Sequence, residues 1–137
     1  MQIAITPTCR VKIERLSKKS KTGYSSCLAD ITSFFKELPF DIALKSNRMI
    51  FRNEQFQISK FRIASSSTKD GKSSGYRAII LFDFVNKINT LIEFYPKFGP
   101  AAMTSLVPGW QKIIIPEYHQ ALQGKCIDFE HLSSPEV

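Results

Sequence analysis

Residues 60–84 read KFRIASSSTKDGKSSGYRAIILFDF, and the way this stretch divides decides the fold. Phe61 and Ile63 alternate with Lys60 and Arg62, so a strand sends the apolar pair to one face and the cations to the other. SSSTKDGKSSG, residues 65–75, is small and polar and reads as a flexible loop carrying Lys69 and Lys72. Tyr76 to Val85 then reads as a long apolar strand with Arg77 at its mouth. NKIN at 86–89 turns the chain, and Thr90 to Lys97, TLIEFYPK, returns as another strand. Three consecutive strands joined by loops predict an antiparallel meander. Just upstream, Phe56 and Ile58 alternate in the opposite parity from Phe61 and Ile63, a slip that predicts a bulge or break near Ser59.

Working outward toward the N-terminus, QIAIT at residues 2–6 is alternating and β-branched and predicts a first strand ended by Pro7. Two readings fit Thr8 to Ser20. Cys9, Val11 and Ile13 alternate like a strand, while Cys9, Ile13 and Leu16 share a helical face that ends among Lys18, Lys19 and Lys21. Beyond Gly23, Tyr24, Leu28, Ile31, Phe35 and Leu38 recur every three or four residues and predict a helix closed by Pro39. With the first segment as helix, the pair makes a helical hairpin with its apolar seam on the sheet. Residues 40–54 read as a connection with one short strand around Met49 to Phe51.

Toward the C-terminus, FGPAAMTSLVPGW reads as another connection. Pro116 is suited to the first position of a helix whose apolar face holds Tyr118, Leu122 and Ala121. This tail either packs back on the sheet or meets a partner, and SSPEV at its end reads as frayed. At 137 residues with 43% hydrophobic residues, the chain is long enough for a single domain burying roughly two thirds of its unfolded surface. Its apolar runs are far shorter than the roughly 20 residues of a membrane span. The opening MQIAITPTCR lacks the pattern of a secretory signal. Cys9, Cys27 and Cys126 fit neither a disulfide framework nor a zinc knuckle, so reduced thiols and a cytoplasmic location are expected.

The net charge of +7 is unevenly spread: residues 1–77 hold 15 Lys/Arg against 6 Asp/Glu, and residues 78–137 hold 4 against 6. The asymmetry points to phosphate backbones or an acidic protein partner, beside the plainer reading of a soluble basic surface. Serine-triad, Walker, HExxH and CxxC patterns are absent, and no metal or cofactor is expected. Asp83 and Glu93 could face one another across neighbouring strands, but Lys87 and Lys97 lie near them and make structural ion pairs the better reading. The basic set is gathered by strand period: Lys60 and Arg62 share a face, Arg77 opens the next strand, and Lys97 closes the third beside Tyr95. A groove of fixed cations suits RNA cleavage by attack of a ribose 2′-hydroxyl on its own phosphate. Arginine's forked donors would hold the crowded phosphorane charge, and a lysine with lowered pKa could move a proton. Charges guarding a sheet edge are the competing reading.

In order and spacing, KFRIASSSTKDGKSSGYRAIILFDF and TLIEFYPK resemble the RelE/ParE/HigB superfamily of bacterial toxins, as does the opening ITPTCRVKIERLSKKSKTGYSSCLADITSFFKEL. The likeness spans roughly residues 1–105 and favours helix for Thr8 to Ser20. It implies an α+β toxin domain, residues 1–105, in which an N-terminal strand and helical hairpin pack on an antiparallel meander. Residues 106–137 form a C-terminal helical extension with no counterpart in the family. The resemblance further implies an mRNA endonuclease acting at the ribosome and held inactive by an acidic antitoxin. Lys60 and Arg62 match the family's basic strand pair, Arg77 its phosphate-stabilising arginine, and Lys97 a basic residue closing the last strand. Lys69, Lys72, Tyr76 and Tyr95 become RNA-binding candidates. Where several members carry a further Arg, Tyr or His after that lysine, this chain has Phe98, Gly99, Pro100 and Ala101, leaving the general acid and base unassigned among Tyr95, Tyr76 and His119. A ParE-like gyrase inhibitor without nuclease activity and a non-toxic basic nucleic-acid-binding module are the alternatives.

Overall fold

The computed structural model describes residues 2–18, 27–37, 49–64, 75–96, 111–120 and 127–128. It is an α+β fold built on a mixed sheet. In chain order the elements are β1 (Gln2–Ile5), α1 (Pro7–Ser17), α2 (Cys27–Glu37), β2 (Met49–Arg52), β3 (Phe56–Ile63), β4 (Tyr76–Asp83), β5 (Ile88–Pro96), α3 (Gln111–Gln120) and β6 (Ile127–Asp128). The strands lie in the order β2-β3-β4-β5-β1-β6. β2 to β5 are antiparallel neighbours, and β1 adds to β5 in parallel. The antiparallel run the sequence predicts is therefore present, with one strand more than the three counted first.

Pro7 does end the first strand, and it also starts a helix. Thr6 caps α1, its hydroxyl accepting from the Cys9 N–H at 3.4 Å, and Pro7 occupies the first turn, where an amide would have no partner. Cys9, Ile13 and Leu16 are buried along one side of α1, which settles the ambiguous segment as helix. Cys27, Ile31 and Phe35, spaced by four, form the buried side of α2. Both helices share one core with Ile5, Phe61, Ile63, Tyr76, Ala78, Ile80, Phe82, Leu91 and Phe94. Cys27 donates its thiol to the Ile13 carbonyl at 3.7 Å, and burial pushes that thiol up to about 11, so it stays protonated at neutral pH.

A second core lies on the other face of the sheet. Ile58, Ile79, Leu81, Ile92 and Tyr95 meet Tyr118 of α3, with Phe51, Phe56 and Ile115 against them. This explains the parity slip in β3. β3 pairs with β4 without interruption from Phe56 opposite Asp83 to Ile63 opposite Tyr76, so the expected break at Ser59 is absent from that ladder. Instead Phe56 and Ile58 face the α3 side while Phe61 and Ile63 face α1 and α2, each parity being apolar where its own cover lies. The irregularity is across the ladder, in β2, where Met49 opposes Ser59 but Phe51 opposes Ile58.

Two further boundaries differ from the expectation. The β4–β5 turn falls at Phe84 to Lys87, earlier than NKIN, because the Asp83 carboxylate accepts the N–H groups of Val85 and Asn86 at 2.9 and 2.8 Å and bends the chain there. Lys87 completes the turn at φ 56°. Pro116 lies inside α3 and not at its start, so it removes one internal hydrogen bond from that helix. Leu122, Ala121, Tyr24, Leu38, the 65–74 loop and the SSPEV end lie outside the described residues.

Candidate basic site on the second sheet face

Strand register places the cationic residues. Arg62 stands directly opposite Arg77, and Arg77 directly opposite Tyr95, forming one row across β3, β4 and β5. Lys60 stands opposite Ile79, one step along the same face. Its ammonium lies 5.8 Å from the centre of the Tyr95 ring, a cation–π contact that ties the lysine to the row. Lys60, Arg62, Arg77 and Tyr95 thus share the face opposite α1 and α2. Lys97, Lys69 and Lys72 lie outside the described residues.

Like charges directly opposite on paired strands repel. Arg62 is exposed, but Arg77 is only 7% exposed and donates to the Tyr76 carbonyl at 3.1 Å. Lys60 and Arg62 have no ion pair among the described residues. Two arginines opposite one another in register, with a lysine one step along, bring three cations to one sheet face, a donor set suited to an anion.

Tyr76 does not join them. It is 1% exposed and packs against Phe94 on the face covered by α1 and α2, ring centres 4.9 Å apart, so it cannot meet RNA in this conformation. One step of strand period separates it from Arg77 and turns it to the opposite layer. Tyr95 is on the correct face but 2% exposed. His119 is exposed on α3, its ring centre 5.6 Å from that of Tyr118.

The two acids are occupied by structural contacts, with partners other than those expected. Glu93 pairs with Lys12 of α1 at 2.5 Å and also accepts the Phe94 N–H at 3.0 Å. Beside that pair, Thr8, Val11, Lys12 and Arg15 line an open cavity of about 240 Å³ on α1, on the other layer from the arginine row. Asp83, at the far end of β4 from Arg77, accepts from Val85, Asn86 and the Tyr118 hydroxyl. Burial pushes the Asp83 carboxyl up, but hydrogen bonds from the Asn86 N–H, the Tyr118 hydroxyl, the Asn86 side chain and the Val85 N–H outweigh it and hold it below the ordinary carboxylate range. A carboxyl with a depressed folded pKa contributes stability above its unfolded value, about 3.9, and loses it as pH falls through the folded value. Asp83→Asn should therefore cost about 1–3 kcal/mol at pH 7. The deficit should shrink toward pH 2 in urea titrations across that range.

The Tyr118–Asp83 contact joins residues 35 apart, and no local motif names that pair. A signal was present: YRAIILFD is apolar in both parities, and a strand apolar on both sides needs cover on both. Among the described residues no group of His, Cys, Asp and Glu is arranged to hold a metal ion, and no helix is long and apolar enough to cross a membrane. Comparison with family profiles, with characterised proteins and with solved structures gives no match.

Proposed function

We propose that this chain is a toxin of the RelE/ParE/HigB type, an endoribonuclease that cleaves ribosome-associated mRNA in the cytoplasm and is held in check by an acidic antitoxin. The observation that carries this reading is the row Arg62–Arg77–Tyr95 with Lys60 on the tyrosine ring. The order of strand, two helices and meander also supports it, as do the motifs that resemble the family. In this reading Arg77, held by a strand buried on both faces, and Arg62, exposed beside it, grip the non-bridging oxygens of the scissile phosphate. The 2′-hydroxyl loses its proton and its oxygen bonds to phosphorus. The bond to the 5′-oxygen breaks, and that oxygen takes up a proton, leaving a 2′,3′-cyclic phosphate and a 5′-hydroxyl. Lys60 adds charge that stabilises the phosphorane.

One observation favours the ParE-like alternative. Arg77 and Tyr95 are nearly covered, which fits a protein that acts through another surface. The two readings part in one pair of assays. Purified chain added to translating ribosomes should yield mRNA fragments ending in cyclic phosphate while leaving gyrase supercoiling untouched. Intact mRNA together with stalled gyrase would replace the nuclease reading with the gyrase one.

A further inference from the structure

α3 lies on the same sheet face as the basic row. Tyr118, 2% exposed, and the partly buried Ile115 pack on Ile58, Ile79, Leu81, Ile92 and Tyr95. The Tyr118 hydroxyl donates to Asp83, a buried charge-assisted hydrogen bond across 35 residues of chain. β5 ends at Pro96 opposite Tyr76, next to Arg77, and α3 begins at Gln111. Tyr95, 2% exposed, cannot stack a base while Tyr118 and Ile115 pack in its cluster, and Arg77, 7% exposed, stands directly opposite it. α3 is also poorly built to stand alone. It has ten residues and carries Pro116 inside, and a helix of that length is marginal in water without tertiary contacts.

We propose that α3 is a displaceable strap that closes the basic face, fastened by the Tyr118–Asp83 hydrogen bond, and that RNA binds when the strap lifts. The proposal rests on the reading of this face as an RNA site. The fastening stands at the Asp83 end of β4, six residues from Arg77, so the latch can be broken without touching a residue of the basic row. Affinity for RNA is then lowered by the fraction of molecules in which the strap is open. The latch and the apolar contacts of Ile115 and Tyr118 set that fraction. Removing the hydroxyl while leaving the ring shifts it toward the open state.

The test uses the full chain with a fluorescein-labelled single-stranded RNA of about a dozen nucleotides, read by anisotropy, and amide exchange read over residues 111–120. Tyr118→Phe should raise both RNA affinity and α3 exchange about tenfold or more, the range expected for losing a hydrogen bond to a charged group. Ile115→Ala should act in the same direction by loosening the packing. Arg77→Lys placed in the Tyr118→Phe chain should cancel the gain in affinity. Faster exchange with unchanged or weaker RNA binding in both variants would overturn the strap while leaving the RNA-site reading to its own assay. Unchanged exchange in both would overturn the latch. A gain in affinity that survives Arg77→Lys would place RNA elsewhere, and both readings would fall together.

Discussion

Replacing Arg77 by lysine should lower RNA cleavage about 10²–10³-fold, the usual loss when one preorganised donor to a developing oxyanion is removed. Lysine is the informative substitution because it keeps the positive charge and most of the aliphatic stem, and gives up only the planar fork. Arg77 emerges from a strand whose every residue is buried, and its guanidinium is held by the Tyr76 carbonyl, so its donors are fixed before any substrate arrives. Arg62 faces it from β3 but is exposed, and its head group has no such anchor among the described residues. Arg62→Lys should accordingly cost about tenfold or less, because an exposed side chain is already mobile and screened. The measurements are single-turnover cleavage on programmed ribosomes and a urea midpoint for each variant, with the midpoints unchanged. Equal losses for the two arginines would show that charge and not fixed geometry governs the site. Wild-type rates for Arg77→Lys would remove Arg77 from the chemistry.

What the sequence disclosed about this site follows from what strand period encodes. Alternation places Lys60 with Arg62 and separates both from Phe61 and Ile63, and the register bears that out. The same period applied to Tyr76 would have assigned it to the core, since it is adjacent to Arg77 and must point the other way. Helix spacing was equally legible for Ile31 and Phe35, and for Cys9, Ile13 and Leu16 once a helix was chosen over a strand. Local chemistry that acts through one carboxylate was harder to see. Asp83 draws the turn two residues forward because its side chain, unlike its position in a hydropathy pattern, offers oxygens to two amides. Contacts between distant segments were legible only as a need for cover on both faces of β4, and not as named pairs. Nothing near Glu93 names Lys12 as its partner, and nothing near Asp83 names Tyr118, because such pairs depend on how layers stack. Pro116 suits a helix start, where its missing amide costs least, yet it sits inside a helix held by packing against the sheet.

The cover on the second face has a thermodynamic consequence as large as any in the molecule. Ile79 and Ile80 are consecutive on β4 and both fully buried, but Ile80 packs toward α1 and α2, and Ile79 toward α3. An open groove on the second face would leave Ile79 half exposed, and its truncation would be cheap. With α3 in place, Ile79→Ala and Ile80→Ala should each destabilise the fold by about 2–5 kcal/mol, the range for an aliphatic side chain cut to alanine in a packed core. The two costs differ in origin, and a double-mutant cycle separates them. Ile115 of α3 joins the cluster of Ile79 and not that of Ile80. Ile115→Ala should therefore couple to Ile79→Ala by about 0.5–3 kcal/mol and combine additively with Ile80→Ala. Urea unfolding of the three single and two double variants supplies every number required. A small cost for Ile79→Ala, or no coupling to Ile115, would mean that α3 contributes little to the second core. The same helix cannot both stabilise that face strongly and be lifted without cost, so the size of the coupling sets an upper limit on how often the strap opens unaided.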